Sequence, residues 1–136
     1  MSELITIVGT ISGSDPELRF TQTGLAVCNF SVRVPGVKAN AAKGIEAQEA
    51  YFQDITCWRE LAENVAESLQ KGDRVIVRGL EKTDTYESNG ETKTKHYLNA
   101  WNVGAELSYN TVEFTTAERA EPVAAAAGAE DPQRPF

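Results

Sequence analysis

The stretch CWRELAENVAESLQKGDRVIVRG, residues 57–79, decides the fold. It opens at the end of a run, residues 51–58, in which Ile55 and Cys57 fall on one face and Phe52, Asp54, Thr56 and Trp58 on the other. That period of two is the pattern of a half-buried strand. From residue 59 the period changes: Leu61, Ala62, Val65, Ala66 and Leu69 recur at helical spacing and predict a helix over 59–70. Lys71-Gly72 suits its end, with a cation in the last turn and glycine just beyond it. Residues 74–80 then return to strand, with Val75 and Val77 facing inward.

Outward from this unit almost everything reads as strand. Residues 5–11 mix β-branched side chains and end at the turn signal Gly13-Ser14-Asp15-Pro16. In residues 26–34, Cys28, Phe30, Val32 and Val34 point one way and Asn29, Ser31 and Arg33 the other. Residues 35–49 are polar, without period, and predict a long loop. Ser88-Asn89-Gly90 marks the tip of a hairpin between residues 81–87 and 91–103. Leu98, Ala100 and Val103 are its inward positions, which leaves Trp101 outward. Three strands, a helix and two strands joined by a long hairpin make an all-β chain in the order of a five-stranded OB-fold barrel. A sandwich would need more strands.

The chain has 136 residues, of which 41% are hydrophobic and 24% charged, as in a soluble globular domain. One domain is expected over residues 1–116, with a tail from 117 that reads AERAEPVAAAAGAEDPQRPF and is expected to be disordered. No apolar run is long enough to span a bilayer, and the N-terminus carries no secretory pattern, so a cytoplasmic location is expected. Cys28 and Cys57 read as buried free thiols. The net charge of −7, from 20 acids and 13 bases, excludes a surface that grips polyanions everywhere. Any nucleic-acid binding must therefore rest on a local groove.

Two blocks and the chain end carry a family resemblance. VGTISGSDPELRF (residues 8–20) resembles the opening of bacterial-type single-stranded-DNA-binding proteins, and residues 57–79 are similar to that family's strand, helix and strand. The terminal Pro135-Phe136 resembles the family's tip. The likeness covers residues 4–107 almost continuously and reads most like the actinobacterial branch or a phage-encoded copy. It implies a homotetrameric, nucleoid-associated OB-fold that wraps single-stranded DNA without sequence preference, and that recruits replication, repair and recombination proteins through its tail.

Residue by residue, the resemblance places base-stacking rings at Phe52 and Trp58 and, near the hairpin tip, at Tyr86, with Thr85 as the rival position. Stacking on such rings suits unpaired bases because every base has a π-face. Candidate phosphate contacts are Arg19, Arg33, Lys71, Arg78 and Lys82; of these, Arg19 and Lys71 match basic positions of the family. Lys38, Lys43, Lys93 and Lys95 are further candidates, with solvated surface charge as the alternative reading. In the tail, Asp131, Pro135 and Phe136 correspond to the partner-binding tip, although its acidic run is reduced to Glu130-Asp131. Asp54 stands where the family usually places arginine, Glu60 follows Trp58 closely, and the 35–49 loop lacks an aromatic ring. These departures predict weaker binding with a stronger salt dependence. Trp101, where the family is usually polar, is expected to serve packing.

The lone His96 and the two separated cysteines do not form a metal-ligand pattern, and neither a phosphate loop nor a nucleophile elbow occurs. No metal, cofactor or enzymatic activity is expected. Two rivals remain: an OB-fold protein–protein adaptor, in which Phe52 and Trp58 anchor a partner, and an OB module for oligosaccharide or tRNA.

Overall fold

The computed structural model describes residues 3–117. Its elements are β1 (Leu4–Phe20), β2 (Ala26–Val34), a 3-10 turn (Ala41–Lys43), β3 (Tyr51–Trp58), α1 (Arg59–Ser68), β4 (Arg74–Ser88) and β5 (Glu91–Ala105). The strands close into a barrel in the order β1-β2-β3-β5-β4, with β4 pairing back onto β1. All pairings are antiparallel except the short β3–β5 seam, where Ile55 faces Leu98 and Thr56 faces Asn99. This is the all-β OB-fold anticipated from the strand order.

The alternation read from the sequence fills the interior. Ile7, Ile11, Cys28, Phe30, Val32, Ile55, Cys57, Val75, Val77, Leu98 and Ala100 are buried, and α1 adds Ala62 and Val65. The helix thus plugs one end of the barrel with its apolar stripe. Cys28 and Cys57 are free, fully buried and directly opposite each other across β2–β3. Burial, helped by the Glu17 carboxylate, pushes the Cys28 thiol up to about 11. Burial with Cys28 alongside raises Cys57 further, so both side chains act as small neutral core residues.

Three local expectations change. The Gly13–Pro16 signal does not end β1: the register skips between Ser12 and Glu17, and the strand resumes to Phe20. The excursion is tied down by the Lys71 N–H donating to Asp15 Oδ1 at 2.8 Å, beside the Gly72 N–H donating to the Ile11 carbonyl at 2.9 Å. The helix stops at Ser68, and Gly72, at φ 98°, serves the tight turn that enters β4 rather than a helix cap. There the Asp73 N–H donates to the Gln70 carbonyl and Asp73 Oδ2 accepts from the Gln70 N–H. The 35–49 loop folds back on itself, with Val37 bridged to Gln48 and Asn40 to Ile45.

Two features set the shape around the barrel mouth. Asn89 and Gly90 both adopt positive φ, 54° and 79°, making the two-residue primed turn that suits a twisted hairpin. At the base of that hairpin Arg78 pairs with Asn102 and Gly79 with Ala100, so Trp101 is the extra residue of a bulge. Glycine is required there, because a Cβ on residue 79 would lie 2.1 Å from the Asn99 carbonyl oxygen.

Candidate nucleic-acid interface

Paired residues in an antiparallel sheet share a face, so the register gives the outer surface row by row. Across β1, β2 and β3 the outward rows are Thr10–Arg33–Phe52, Ser12–Ser31–Asp54, Glu17–Asn29–Thr56 and Arg19–Val27–Trp58. Phe52 is 65% exposed and sits beside Arg33, and Trp58 is half-buried in the row that ends at Arg19. The two rings share one face but are not neighbours. Six residue steps separate them, which at strand rise is about 20 Å, with Asp54 and Thr56 between.

The strand turns abruptly at Trp58. Arg59, the first helical residue, has φ 61°, a left-handed conformation that is strained for a side chain larger than glycine. This turn sends the chain into α1 at once and leaves the Trp58 ring at the barrel rim.

The β4–β5 hairpin extends the same surface. One face of the ribbon carries Lys82, Asp84, Tyr86 and Ser88 opposite Tyr97, Lys95, Lys93 and Glu91. The other carries Glu81, Thr83, Thr85 and Glu87 opposite Leu98, His96, Thr94 and Thr92. Lys95 lines the same open cleft as Ser14, Glu17, Asn29, Asp54 and Thr56, so the lysine–tyrosine face of the ribbon is the one that adjoins the β2–β3 wall. Tyr86 is therefore on the cleft side of the ribbon and Thr85 on the far side.

Sequence reasoning missed Tyr97, which is on the same ribbon face as Tyr86. Counting back one residue from the buried Leu98 would have found it. Its partial burial and the adjacent Asp84 carboxylate, which accepts a hydrogen bond from it, push the phenol up. Phe20, 62% exposed at the end of β1, is a second exposed ring to which the sequence reading assigned no role.

Charge is unevenly distributed over the molecule. Arg19, Arg33, Lys82, Lys93 and Lys95 face this surface with Glu17, Asp54, Asp84 and Glu91, so it is close to neutral while the whole chain carries −7. Arg19 is partly engaged, 3.4 Å from Glu17.

Other predicted contacts lie elsewhere. Arg78 is on the outward β1–β4–β5 wall, where its Nη1 donates to Asn102 Oδ1 at 3.1 Å and its guanidinium lies 6.0 Å from the centre of the Trp101 ring. Lys71 occupies the turn at the barrel end, beside Asp15. Lys38 and Lys43 belong to the folded 35–49 loop, which leaves the wall at the Phe52 end. Asp131, Pro135 and Phe136 lie outside the described residues. No group of histidine, cysteine or carboxylate side chains suited to a metal ion occurs among the described residues, and no helix there is long and apolar enough to cross a membrane.

The wall around Arg78 has a different character. Its outward pairs are Leu4–Leu80, Thr6–Arg78 and Val8–Ile76, flanked by Trp101, and Leu4, Val8 and Ile76 are each close to 40% exposed. Exposed apolar side chains thus stand on both sides of the Thr6–Arg78 row, in contrast to the polar rows of the β2–β3 wall.

Comparison with known proteins agrees with this architecture. The family model described as "Single-strand binding protein family" matches residues 3–105. A single-stranded DNA-binding protein of Mycobacterium leprae is 43% identical over 117 residues, covering 85% of this chain and 69% of the relative. One from Corynebacterium glutamicum is 45% identical over 107 residues, covering 77% of this chain and 47% of the relative. The crystal structure of a small single-stranded DNA-binding protein from Streptomyces coelicolor superposes with a TM-score of 0.62 at 25% identity, covering 79% of this chain and 96% of that one. With the barrel, the ring-bearing wall and the matched span all in accord, the chain belongs to the single-strand binding protein family.

Proposed function

We propose that this chain binds single-stranded DNA without a recognition sequence and protects it during replication, repair and recombination. Bases stack on Phe52 and Trp58, with Tyr86 continuing the track along the hairpin; Arg19, Arg33, Lys82, Lys93 and Lys95 meet the phosphates. The observation that carries this reading is the continuity of one outward surface from the Phe52 and Trp58 rows to the lysine–tyrosine face of the ribbon. Arg78 is left out of the contact set because Asn102 and Trp101 hold it on the other wall.

The active form is a homotetramer, and the apolar Leu4–Val8–Ile76 surface supplies area for the subunits to share. The protein acts in the cytoplasm on the nucleoid, and its Pro135-Phe136 tip recruits partner proteins. It is not an enzyme. A purely protein-docking role is less favoured, because the rings alternate with charged and hydroxyl side chains instead of clustering as one apolar anchor.

The test is a fluorescence titration of the Trp101→Phe variant, in which Trp58 is the remaining tryptophan. Oligo-dT should quench Trp58 emission in a saturable manner, and duplex DNA of equal length should not. Equal quenching by both, or by neither, would overturn the proposal.

A further inference from the structure

The two rings of β3 are too far apart to hold one base between them, so the strand crossing from one to the other meets the cleft that separates them. We infer that this cleft is a base-reading subsite in which Asp54 favours bases carrying an exocyclic amino group over the oxo bases thymine and uracil. The inference rests on the proposed single-strand binding and adds a compositional bias to it, not a recognition sequence.

The cleft sets donors and acceptors at defined places. Asp54 lines it and has neither an ion pair nor a side-chain hydrogen bond among the described residues, whereas Glu17 is engaged with Arg19. Thr56 Oγ1 donates to Asn29 Oδ1 at 2.9 Å. That bond turns the Asn29 oxygen toward Thr56 and leaves its amide hydrogens as donors, and Lys95 supplies further donors from the hairpin. Of the two carboxylates that line the cleft, Asp54 is the one without a cation partner among the described residues.

A carboxylate repels phosphate, so the strand that crosses here turns a base, not its backbone, toward Asp54. Cytosine places its N4 amino hydrogens on the carboxylate, the pairing aspartate makes with that base elsewhere, and leaves N3 and O2 to accept from Asn29 and Lys95. Adenine offers an amino group and a ring acceptor in the same sense. Uracil and thymine put a carbonyl oxygen where the amino group would be, and that oxygen faces the carboxylate.

The experiment measures binding of the full chain to oligo-dC and oligo-dU of equal length at pH 8, where cytosine is unprotonated. The two bases differ only in the group at C4 and the proton at N3, so thymine's methyl group does not enter. The same titrations are made on Asp54→Ser and on the shape-preserving Asp54→Asn; residue 54 is exposed on an outward row, away from the core. The expected result is a dC:dU affinity ratio at least threefold higher in the unsubstituted protein than in either variant, with dU binding strengthened by both substitutions. An unchanged ratio in both variants, while single strands still bind, would overturn the inference and leave the proposed function standing. Absence of binding to either oligonucleotide by the unsubstituted protein would instead overturn the function itself.

Discussion

The barrel has two outer walls, each with an aromatic ring close to an arginine, and they differ in what surrounds the pair. On the β2–β3 wall Phe52 is largely exposed and the guanidinium of Arg33 beside it has no hydrogen-bond partner among the described residues. On the β1–β4–β5 wall Trp101 is half-buried in a bulge, and its arginine, Arg78, is committed to Asn102. The first wall continues into a ribbon face with three lysines, the second into aliphatic pairs. An outward aromatic residue is thus no marker of a binding site until its row neighbours are known. An uncommitted cation and open surface suit a ligand that brings phosphates and bases, whereas a satisfied cation among aliphatic groups suits a second protein surface.

The largest effect that would break this contrast is expected from the double substitution Phe52→Ala/Trp58→Ala. At roughly 1–3 kcal/mol per stacked base, affinity for oligo-dT should fall by about 30-fold to 20,000-fold. Titration with thermal melting as a control reads it, and an affinity within a factor of three of the unsubstituted protein would remove the β2–β3 wall from the site. Ile76→Glu probes the other wall. Burying a carboxylate in an aliphatic contact is unfavourable, so mass measurement in solution should show loss of the proposed tetramer. A full-size assembly in that variant would show that the Val8–Ile76 surface is not the shared one.

The smallest effect sharpens the assignment of cations. Each phosphate contact on a single strand contributes about −0.7 to the slope of log affinity against log salt. Lys93→Ala/Lys95→Ala should therefore make the slope shallower by about 1.4, and Arg78→Ala should leave it unchanged. Equal changes in the two variants would merge the walls into one site. The same relation revises the expectation drawn from the departures in sequence. Fewer cations imply weaker binding, but a shallower salt dependence rather than a steeper one, because fewer counterions are released.

Much of this was legible in the order of residues. The period-two runs at 26–34 and 51–58, the helical stripe between them and β4, and the Asn-Gly tip all lie in the structure where their patterns put them. Phe52 and Trp58 could be assigned to one face because parity along a single strand is local information. The skip in β1 at Gly13–Pro16 was not legible: a Gly-Ser-Asp-Pro run signals departure from a ladder equally well whether the strand stops or resumes. Nor was the bulge at Trp101, since it exists only relative to the partner strand that pairs Arg78 with Asn102 and Gly79 with Ala100.

Local spacing was therefore enough to place the five strands and their inward faces, though not the full length of β1, because burial imposes its period on neighbours within one segment. Which cations join the aromatic rings required the closed barrel. Arg33, Arg78 and Lys95 look alike along the chain, and only strand pairing between distant segments sends one to Phe52, one to Trp101 and one to the cleft beside Asp54.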